Sequence, residues 1–251
     1  MTFFEKVVES VSDRKHYDAI LSYQETHDAL TGLAIRGLLL DQMQQIISSV
    51  SRHNNQVAVI FVGLDQFGFI NKSLGLHIGD HLLKIAAERL RSCLDESCIV
   101  ARHGGDEFVV VVKHSDKTAL SLLLSKMLAT IANPILIDDN ELIITASIGV
   151  SFYPLDGTNT GILLRNAKLA MSYAKELGCN NVQFFAVELS QNINKKFALG
   201  VILRHALERG EFFLNYQPQV SLQTGQIMGL EALIRWTHEP KTLLYRDQLF
   251  L

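Results

Sequence analysis

Residues 56 to 64 form a nearly continuous apolar run that ends at Asp65. A strand with alternating apolar and polar residues buries only one face, whereas an unbroken apolar strand is buried on both faces. The run therefore favours a sheet that is covered by helices on either side, as in an α/β sandwich.

Two further β-prone runs, 98–102 and 108–113, flank the hexapeptide His103-Gly104-Gly105-Asp106-Glu107-Phe108. Runs of this kind around Gly-Gly predict a β-hairpin. Gly104 and Gly105 accept positive φ, and without a Cβ they let a phosphate approach the backbone. Asp106 and Glu107 place two carboxylates at the turn, where a hard cation could bind. The hexapeptide alone is equally compatible with an ordinary hairpin that has a solvated acidic tip.

The remaining periodicity predicts an α/β (α+β) fold with a ferredoxin-like sheet of about five strands and flanking helices. Residues 71–79 are expected to form a loop or a short helix. Helices are predicted over 35–50, 82–94, 119–131 and 163–177, and strands over 142–152 and 182–185. The predicted order is β-α-β-β-α-β-α-β.

Three segments are expected along the chain. Residues 1–26 form a helical lead-in, either a dimerising helix or a simple cap, and residues 27–187 form the main domain. Residues 188–251 begin a second pattern, with a helix over 197–209 and strands over 212–217 and 227–236.

Composition excludes several classes of protein. The net charge of −3 gives no basic excess of the kind nucleic-acid binders show, so no nucleic-acid partner is expected. No apolar run is long enough to span a bilayer, and the N-terminus lacks the pattern of a signal peptide. The three cysteines have neither metal-ligand spacing nor an even count, which favours a reduced, cytoplasmic protein.

Short motifs follow one another in a fixed order over about residues 24 to 186. They are His27-Asp28-Ala29-Leu30-Thr31-Gly32-Leu33, Leu64-Asp65-Gln66-Phe67, Ile70-Asn71, Gly79-Asp80-His81-Leu82-Leu83, the hexapeptide, Ser147-Ile148-Gly149-Val150 and Ala174-Lys175. This ordered set resembles a GGDEF domain of the diguanylate cyclase family. Tyr216-Gln217-Pro218 and Glu231-Ala232-Leu233-Ile234-Arg235-Trp236 resemble the opening of an EAL domain, the cyclic-di-GMP phosphodiesterase family.

The GGDEF resemblance implies a substrate, a cofactor and a partner. Two facing GGDEF domains would each hold one GTP, and each 3′-hydroxyl would attack the α-phosphorus of the other GTP with help from Mg²⁺. Asn71 and Asp80 match guanine-binding positions, and their side chains suit the edge of that base. Asp106 matches a metal ligand, Glu107 lies beside it at the substrate, and Lys175 matches a phosphate contact.

The sequence departs from the family at the metal and at the phosphates. The family carries a metal-binding Asp at the position of Gly63, and cations at those of Gly68 and Cys179. Asp65 is two residues away, roughly 6.6 Å at strand rise, which is too far without a register shift. Losing one metal site costs roughly a thousandfold in rate. The resemblance therefore implies a degenerate site in which Mg²⁺ is bound weakly or not at all.

In the EAL piece, the resemblance implies Glu231 as a metal ligand and Gln217 and Arg235 as contacts of the cyclic dinucleotide. That chemistry needs a closed barrel, which these residues do not supply, so no phosphodiesterase activity is expected of the 251 residues. Trp236 and Phe250 are expected to be exposed and to favour association.

Three hypotheses stay open at this point. The first is a degenerate GGDEF domain that binds GTP or a protein partner, either a second GGDEF domain or another signalling protein. The second is an active diguanylate cyclase that makes cyclic di-GMP and pyrophosphate from two GTP. The third is a structural remnant that binds no nucleotide.

Overall fold

The computed structural model describes residues 23, 25–50, 56–114, 116–137, 140–189, 202–203, 205–238 and 242–244. Almost all of the predicted helical lead-in lies outside these residues. The chain divides into two compact units, residues 1–189 and 190–251. Within the described ranges, no helix is long and apolar enough to cross a membrane.

The helices of the first unit lie where periodicity predicts them, with one addition. Among the described residues they are α1 (Arg36–Val50), α2 (Phe67–Leu74), α3 (Leu76–Ser92), α4 (Lys117–Ile131) and α5 (Thr160–Glu176). The segment expected to be a loop or short helix belongs to two successive helices. They separate at Gly75, which has φ +91° and donates its N–H to Asn71 O.

The strands of the first unit are β1 (Gln56–Leu64), β2 (Ile99–Gly104), β3 (Glu107–His114), β4 (Ile135–Ile137), β5 (Asn140–Leu142), β6 (Ala146–Tyr153) and β7 (Val182–Phe184). The prediction of a single strand over 142–152 is wrong at its start. Leu142 pairs locally with Ile135 of β4, and the central strand begins only at Ala146. Strand propensity alone does not say which partner a β-prone segment takes.

The central sheet has five strands in the order β2-β3-β1-β6-β7. Strand β1 lies in the middle and runs antiparallel to both β3 and β6, while β7 is parallel to β6. This is the predicted ferredoxin-like arrangement with an added edge strand. At the end of β1, Gly63 pairs with Glu107 on one side and with Ser147 on the other.

Helices cover both faces of the sheet, as the apolar run predicts. Ala58, Ile60 and Val62 face a core shared with α3 and α4, whereas Val57, Val59 and Phe61 face α1 and α5. Side chains alternate along a strand, so Gly63 lies on the face of β1 that packs against α5. Gly149 of β6 lets the backbone of α5 approach closely, because a Cβ there would overlap Ala167 O and Met171 N.

The second unit contains β8 (Phe212–Val220), β9 (Ile227–His238) and β10 (Thr242–Leu244), in the sheet order β10-β9-β8. The expectation that Trp236 is exposed is wrong. Trp236 is fully buried against Ala206 and Phe212, and its Nε1 donates to Glu211 Oε2 at 2.9 Å. An indole buries much apolar area and needs one acceptor, and both needs are met locally. Phe250 lies outside the described residues.

Candidate functional site

Gly63, at the end of β1, has no side chain and therefore no carboxylate. A Cβ built on Gly63 would lie 2.8 Å from Met171 Sδ and 3.0 Å from Lys175 Nζ. Both of these atoms belong to flexible side chains of α5. The space that a side chain of residue 63 would take is therefore partly filled from the helix.

Lys175 reaches from the last turn of α5 to this position. Its Nζ donates to Leu64 O at 3.0 Å and lies 3.8 Å from Asp106 Oδ2. About a third of each of the Lys175 and Asp106 side chains remains accessible. The two predicted site residues are thus brought together, and the ammonium lies between the end of β1 and the hairpin.

Asp65 is not available as a substitute ligand. It is 4% exposed, and its carboxylate accepts hydrogen bonds from Thr145 Oγ1 at 2.7 Å, Ser147 Oγ at 2.7 Å and Asn180 N at 3.0 Å. These bonds tie the β1–α2 turn to β6 and to the loop after α5. Breaking them to reach a metal would leave buried donors without an acceptor.

Glu107 is paired with Lys168, the other lysine of α5. Lys168 Nζ lies 2.7 Å from Glu107 Oε1 and 2.8 Å from Oε2, and it also lies 5.5 Å from the centre of the Phe61 ring. The side chain of Lys168 is about half exposed, so the pair is partly screened by solvent. The hairpin carboxylates are therefore each matched by one lysine of the same helix.

Arg102 holds the turn of the hairpin and is itself held by Asp28, which belongs to the motif at residues 27–33. Arg102 donates through Nε and Nη2 to Gly105 O at 3.1 and 2.8 Å, and through Nη1 to both oxygens of Asp28 at 3.1 Å. Gly104 and Gly105 have φ of +151° and +54°, values that favour glycine. Asp28 also accepts from Thr31 N and Oγ1 at 2.9 and 2.7 Å.

These contacts set the pKa of Asp28. Burial raises the pKa of its carboxyl, but hydrogen bonds from Thr31 and the Arg102 guanidinium outweigh burial and hold it below its ordinary value. Next to the turn, burial lowers the pKa of His103, against the opposing charge of Glu107. His103 Nδ1 is buried and has no hydrogen-bond partner among the described residues.

A second orphaned atom lies between α2 and α3. Asn71 Oδ1 is buried and, within the described part of the chain, accepts no hydrogen bond. It lies against Gly79, where an added Cβ would overlap it. Asp80 follows Gly79 in the same helix and is exposed. A buried acceptor without a partner is costly, so this atom is a candidate contact for a ligand.

Gly68 and Cys179 are the two positions where the resemblance predicts a cation. Nothing lies within 4 Å of a Cβ built on Gly68, at the start of α2. Cys179 follows the end of α5 with φ +65°. Burial, and then the nearby Asp65 carboxylate, raise the pKa of its thiol, so Cys179 is neutral at neutral pH.

A divalent cation does not fit these side chains in the manner the resemblance implies. Such a cation needs oxygen ligands at about 2.0 to 2.6 Å. Gly63 supplies none, Asp65 is fully engaged, and Lys175 lies between Leu64 O and Asp106. Across the described residues, no group of three or more His, Cys, Asp or Glu side chains is placed to share an ion.

The EAL residues gather on one face of their strand pair. Gln217 of β8 pairs directly with Glu231 of β9, and Arg235 lies four residues along the same strand. Because directly opposite residues share a face and side chains alternate along a strand, all three project to the same side. Both Gln217 and Glu231 are exposed.

The family description "Diguanylate cyclase, GGDEF domain" matches residues 25–181, which is more than half of the chain. The chain belongs to the GGDEF family. The description "EAL domain" matches residues 201–251, so a partial EAL domain follows the GGDEF domain.

Two relatives from Pseudomonas aeruginosa carry both parts. "Cyclic di-GMP phosphodiesterase NbdA" is 39% identical over 233 residues, which are 93% of this chain and 30% of NbdA. "Bifunctional diguanylate cyclase/cyclic di-GMP phosphodiesterase MucR" is 39% identical over 222 residues, which are 88% of this chain and 32% of MucR. The chain thus spans about a third of the length of these relatives.

Solved structures confirm the fold of the GGDEF domain. The isolated GGDEF domain of YfiN from Pseudomonas aeruginosa is 29% identical with a TM-score of 0.65, and the match covers 67% of this chain and 99% of that one. A sensory box/GGDEF family protein from Caulobacter crescentus is 38% identical with a TM-score of 0.58, and the match covers 61% of this chain and 99% of that one.

Proposed function

We propose that this chain is part of a cyclic-di-GMP signalling protein whose GGDEF domain binds GTP as a regulatory module and has little or no cyclase activity. The observation that carries the proposal is a contrast between two places in the GGDEF domain. Beside Gly79, the buried Asn71 Oδ1 accepts no hydrogen bond from the described residues. At the end of β1, residue 63 is a glycine and has no carboxylate.

Guanine supplies the donors that Asn71 lacks. Its N1–H and N2–H₂ groups are donors that adenine does not present at the same edge, and a carboxamide with a nearby carboxylate can pair with them. Asp80, adjacent to Gly79, is the proposed second contact. The Gly104-Gly105 turn and Lys175 are proposed to face the phosphates, since both lie at the end of β1.

Turnover needs more than binding. The proposed reaction requires charge stabilisation at the transferring phosphoryl group, which metals and cations supply in this chemistry. Here Gly63, Gly68 and Cys179 replace one carboxylate and two cations. GTP binding without turnover would let the domain signal through its nucleotide-bound shape to the EAL domain, to a second GGDEF domain or to another signalling protein.

Calorimetry and product analysis test this proposal together. The wild-type chain is expected to bind GTP more tightly than ATP and to form no detectable cyclic di-GMP with Mg²⁺ or Mn²⁺. The variant Gly63→Asp/Gly68→Lys/Cys179→Arg is expected to form product at least about a thousandfold faster. The matched control Gly63→Ala/Gly68→Ala/Cys179→Ser changes the same positions without adding charge, and it should stay inactive.

Two outcomes would overturn the proposal. Product formation by the wild type at a rate near that of the restored variant would show an active diguanylate cyclase, the alternative that the name of MucR favours. Absence of both binding heat and a thermal shift with GTP would show a structural remnant.

A further inference from the structure

Lys175 Nζ occupies a place that is lined by oxygen atoms. It donates to Leu64 O at 3.0 Å, lies 3.8 Å from Asp106 Oδ2, and lies 3.0 Å from where a Cβ of residue 63 would be. A backbone carbonyl oxygen and a carboxylate oxygen near one point are the kind of ligands that a hard cation takes. The ammonium therefore lies where a metal ion would be expected, and residue 63 has no side chain to displace it.

The charges around this point favour the tethered ammonium over a divalent ion. Asp106 is matched by Lys175 and Glu107 by Lys168, so each hairpin carboxylate already has a cation within 4 Å. Asp65 is directed to Thr145, Ser147 and Asn180. A divalent ion entering here would meet one carboxylate and a positive charge, whereas Lys175 needs no recruitment from solution.

We propose that Lys175 is a built-in cation that makes nucleotide binding at this site independent of divalent metal. The proposal rests on the proposed function, since it takes GTP as the ligand. Leu64 O and Asp106 contact the ammonium, and about a third of the Lys175 side chain is accessible. A phosphate oxygen is proposed to approach the ammonium from that accessible side. The favoured ligand is therefore the metal-free nucleoside triphosphate.

Gly63 is the residue that permits this arrangement. Any side chain there requires a shift of Met171 Sδ and Lys175 Nζ, which lie 2.8 and 3.0 Å from its Cβ position and end flexible side chains. An Asp at residue 63 would shift the ammonium and add a second carboxylate beside Asp106. Gly63→Asp is thus expected to bind a divalent ion in place of the tethered cation, because two carboxylates are then available as ligands, whereas Gly63→Ala shifts the ammonium without adding a ligand.

The first experiment uses Mn²⁺ alone and follows its electron paramagnetic resonance signal without nucleotide. The wild type and Gly63→Ala are expected to leave the spectrum of free Mn²⁺ unchanged, and Gly63→Asp is expected to bind the ion. Mn²⁺ binding by the wild type that Asp106→Asn abolishes would overturn the proposal.

The second experiment titrates GTP into the full chain, once in excess EDTA and once in excess Mg²⁺. The wild type is expected to bind with affinities that agree within about threefold. Lys175→Met is expected to lose at least about tenfold of the affinity measured in EDTA. The control Lys126→Met removes a lysine whose Nζ also donates to a backbone carbonyl, Cys93 O at 3.4 Å, and it should change neither affinity.

The outcomes separate this inference from the proposed function. GTP binding that appears only with Mg²⁺, or that tightens more than tenfold with it, would overturn the built-in cation and leave the proposed function standing. Equal affinity of the wild type and Lys175→Met in EDTA would also overturn it. Absence of GTP binding under both conditions would overturn the inference and the proposed function together.

Discussion

A glycine has a different effect in two regions of the GGDEF domain. One is the α2–α3 side, around Asn71, and the other is the end of β1, around Gly63. Gly79 keeps the space that the Asn71 side chain occupies, because a Cβ would overlap its Oδ1. Gly63 leaves a space that Lys175 and Met171 partly fill. Gly79 leaves room for the side chain of Asn71, whereas the space beside Gly63 is taken by side chains of α5.

Under the proposed function, this difference separates binding from reaction. The proposed hydrogen bond from a base to Asn71 needs only that its small neighbour stays small. Phosphoryl transfer depends on placed charge, and a glycine at residue 63 supplies none. The proposed GTP-binding role requires only the first of these.

The largest expected effect comes from Asn71→Ala on the α2–α3 side. The change removes the proposed guanine contact from a buried place, so the affinity for GTP should fall roughly a hundredfold, or about 2.7 kcal/mol. The preference for GTP over ATP should fall with it. Calorimetry of both nucleotides measures this, with Ser73→Ala on the same helix as the control. An unchanged preference would place the guanine elsewhere.

Asp28→Asn tests the contacts that hold the turn of the hairpin. The ionised Asp28 holds Arg102 and Thr31, and removing a charged hydrogen-bond partner costs about 1–3 kcal/mol in the free energy of unfolding at pH 7. Urea unfolding of the variant and the wild type gives the difference.

The pH dependence of that difference has a definite sign. The pKa of Asp28 is lower in the folded chain than its ordinary value, so its contribution is present above the ordinary carboxyl range and is lost as the pH falls through the lowered pKa. The gap between wild type and Asp28→Asn should therefore shrink in acid. A gap that widened in acid would contradict this assignment.

Gly79→Ala sharpens the comparison of the two glycines. The added Cβ displaces Asn71 without removing it, so the affinity for GTP should fall about tenfold, or 1.4 kcal/mol. Gly161→Ala is the matched control, because a Cβ there meets its nearest atom, Asn159 Oδ1, at an ordinary 3.6 Å. Equal affinities for the two variants would show that Gly79 does not shape the pocket.

Lys168→Met should give the smallest effect. Its ion pair with Glu107 is short, but the lysine is about half exposed, and pairs of this kind contribute below about 1 kcal/mol to the free energy of unfolding. Thermal unfolding at low and high salt tests this. A loss well above that value, independent of salt, would show that the pair is more than a screened surface contact.

Much of the fold followed from local pattern. The apolar run 56–64 became the central strand, and the Gly-Gly hairpin and four helices lie where periodicity placed them. The pattern failed where tertiary pairing decides the outcome, as at Leu142, which pairs with β4, and at Trp236, which is buried beside Ala206. Hydrophobicity does not predict either partner, because it measures the tendency of a residue to be buried and not which residue it packs against.

The site shows the same limit. The glycines at residues 63 and 68 and the cysteine at residue 179 are visible in the sequence, as are Asn71, Asp80 and Asp106. Their roles at a metal, at phosphates and at guanine stay predictions. The contributions of Asp28, Arg102, Gly79 and Lys168 were not assigned, although the Asp-x-x-Thr spacing at residues 28–31 is typical of a side chain that bonds its own backbone turn. Asp28 lies 74 residues from Arg102, and Glu107 lies 61 residues from Lys168, so the sequence does not show that these side chains meet.

The sequence by itself determined which chemical groups exist at the end of β1, and therefore that residue 63 has no carboxylate. Only the tertiary structure decided what takes its place, because the distance from Lys175 to Leu64 O spans 111 residues of chain and closes only when α5 packs on the sheet. The same packing engages Asp65 with three donors. Composition sets the available charges, and the fold decides which of them meet.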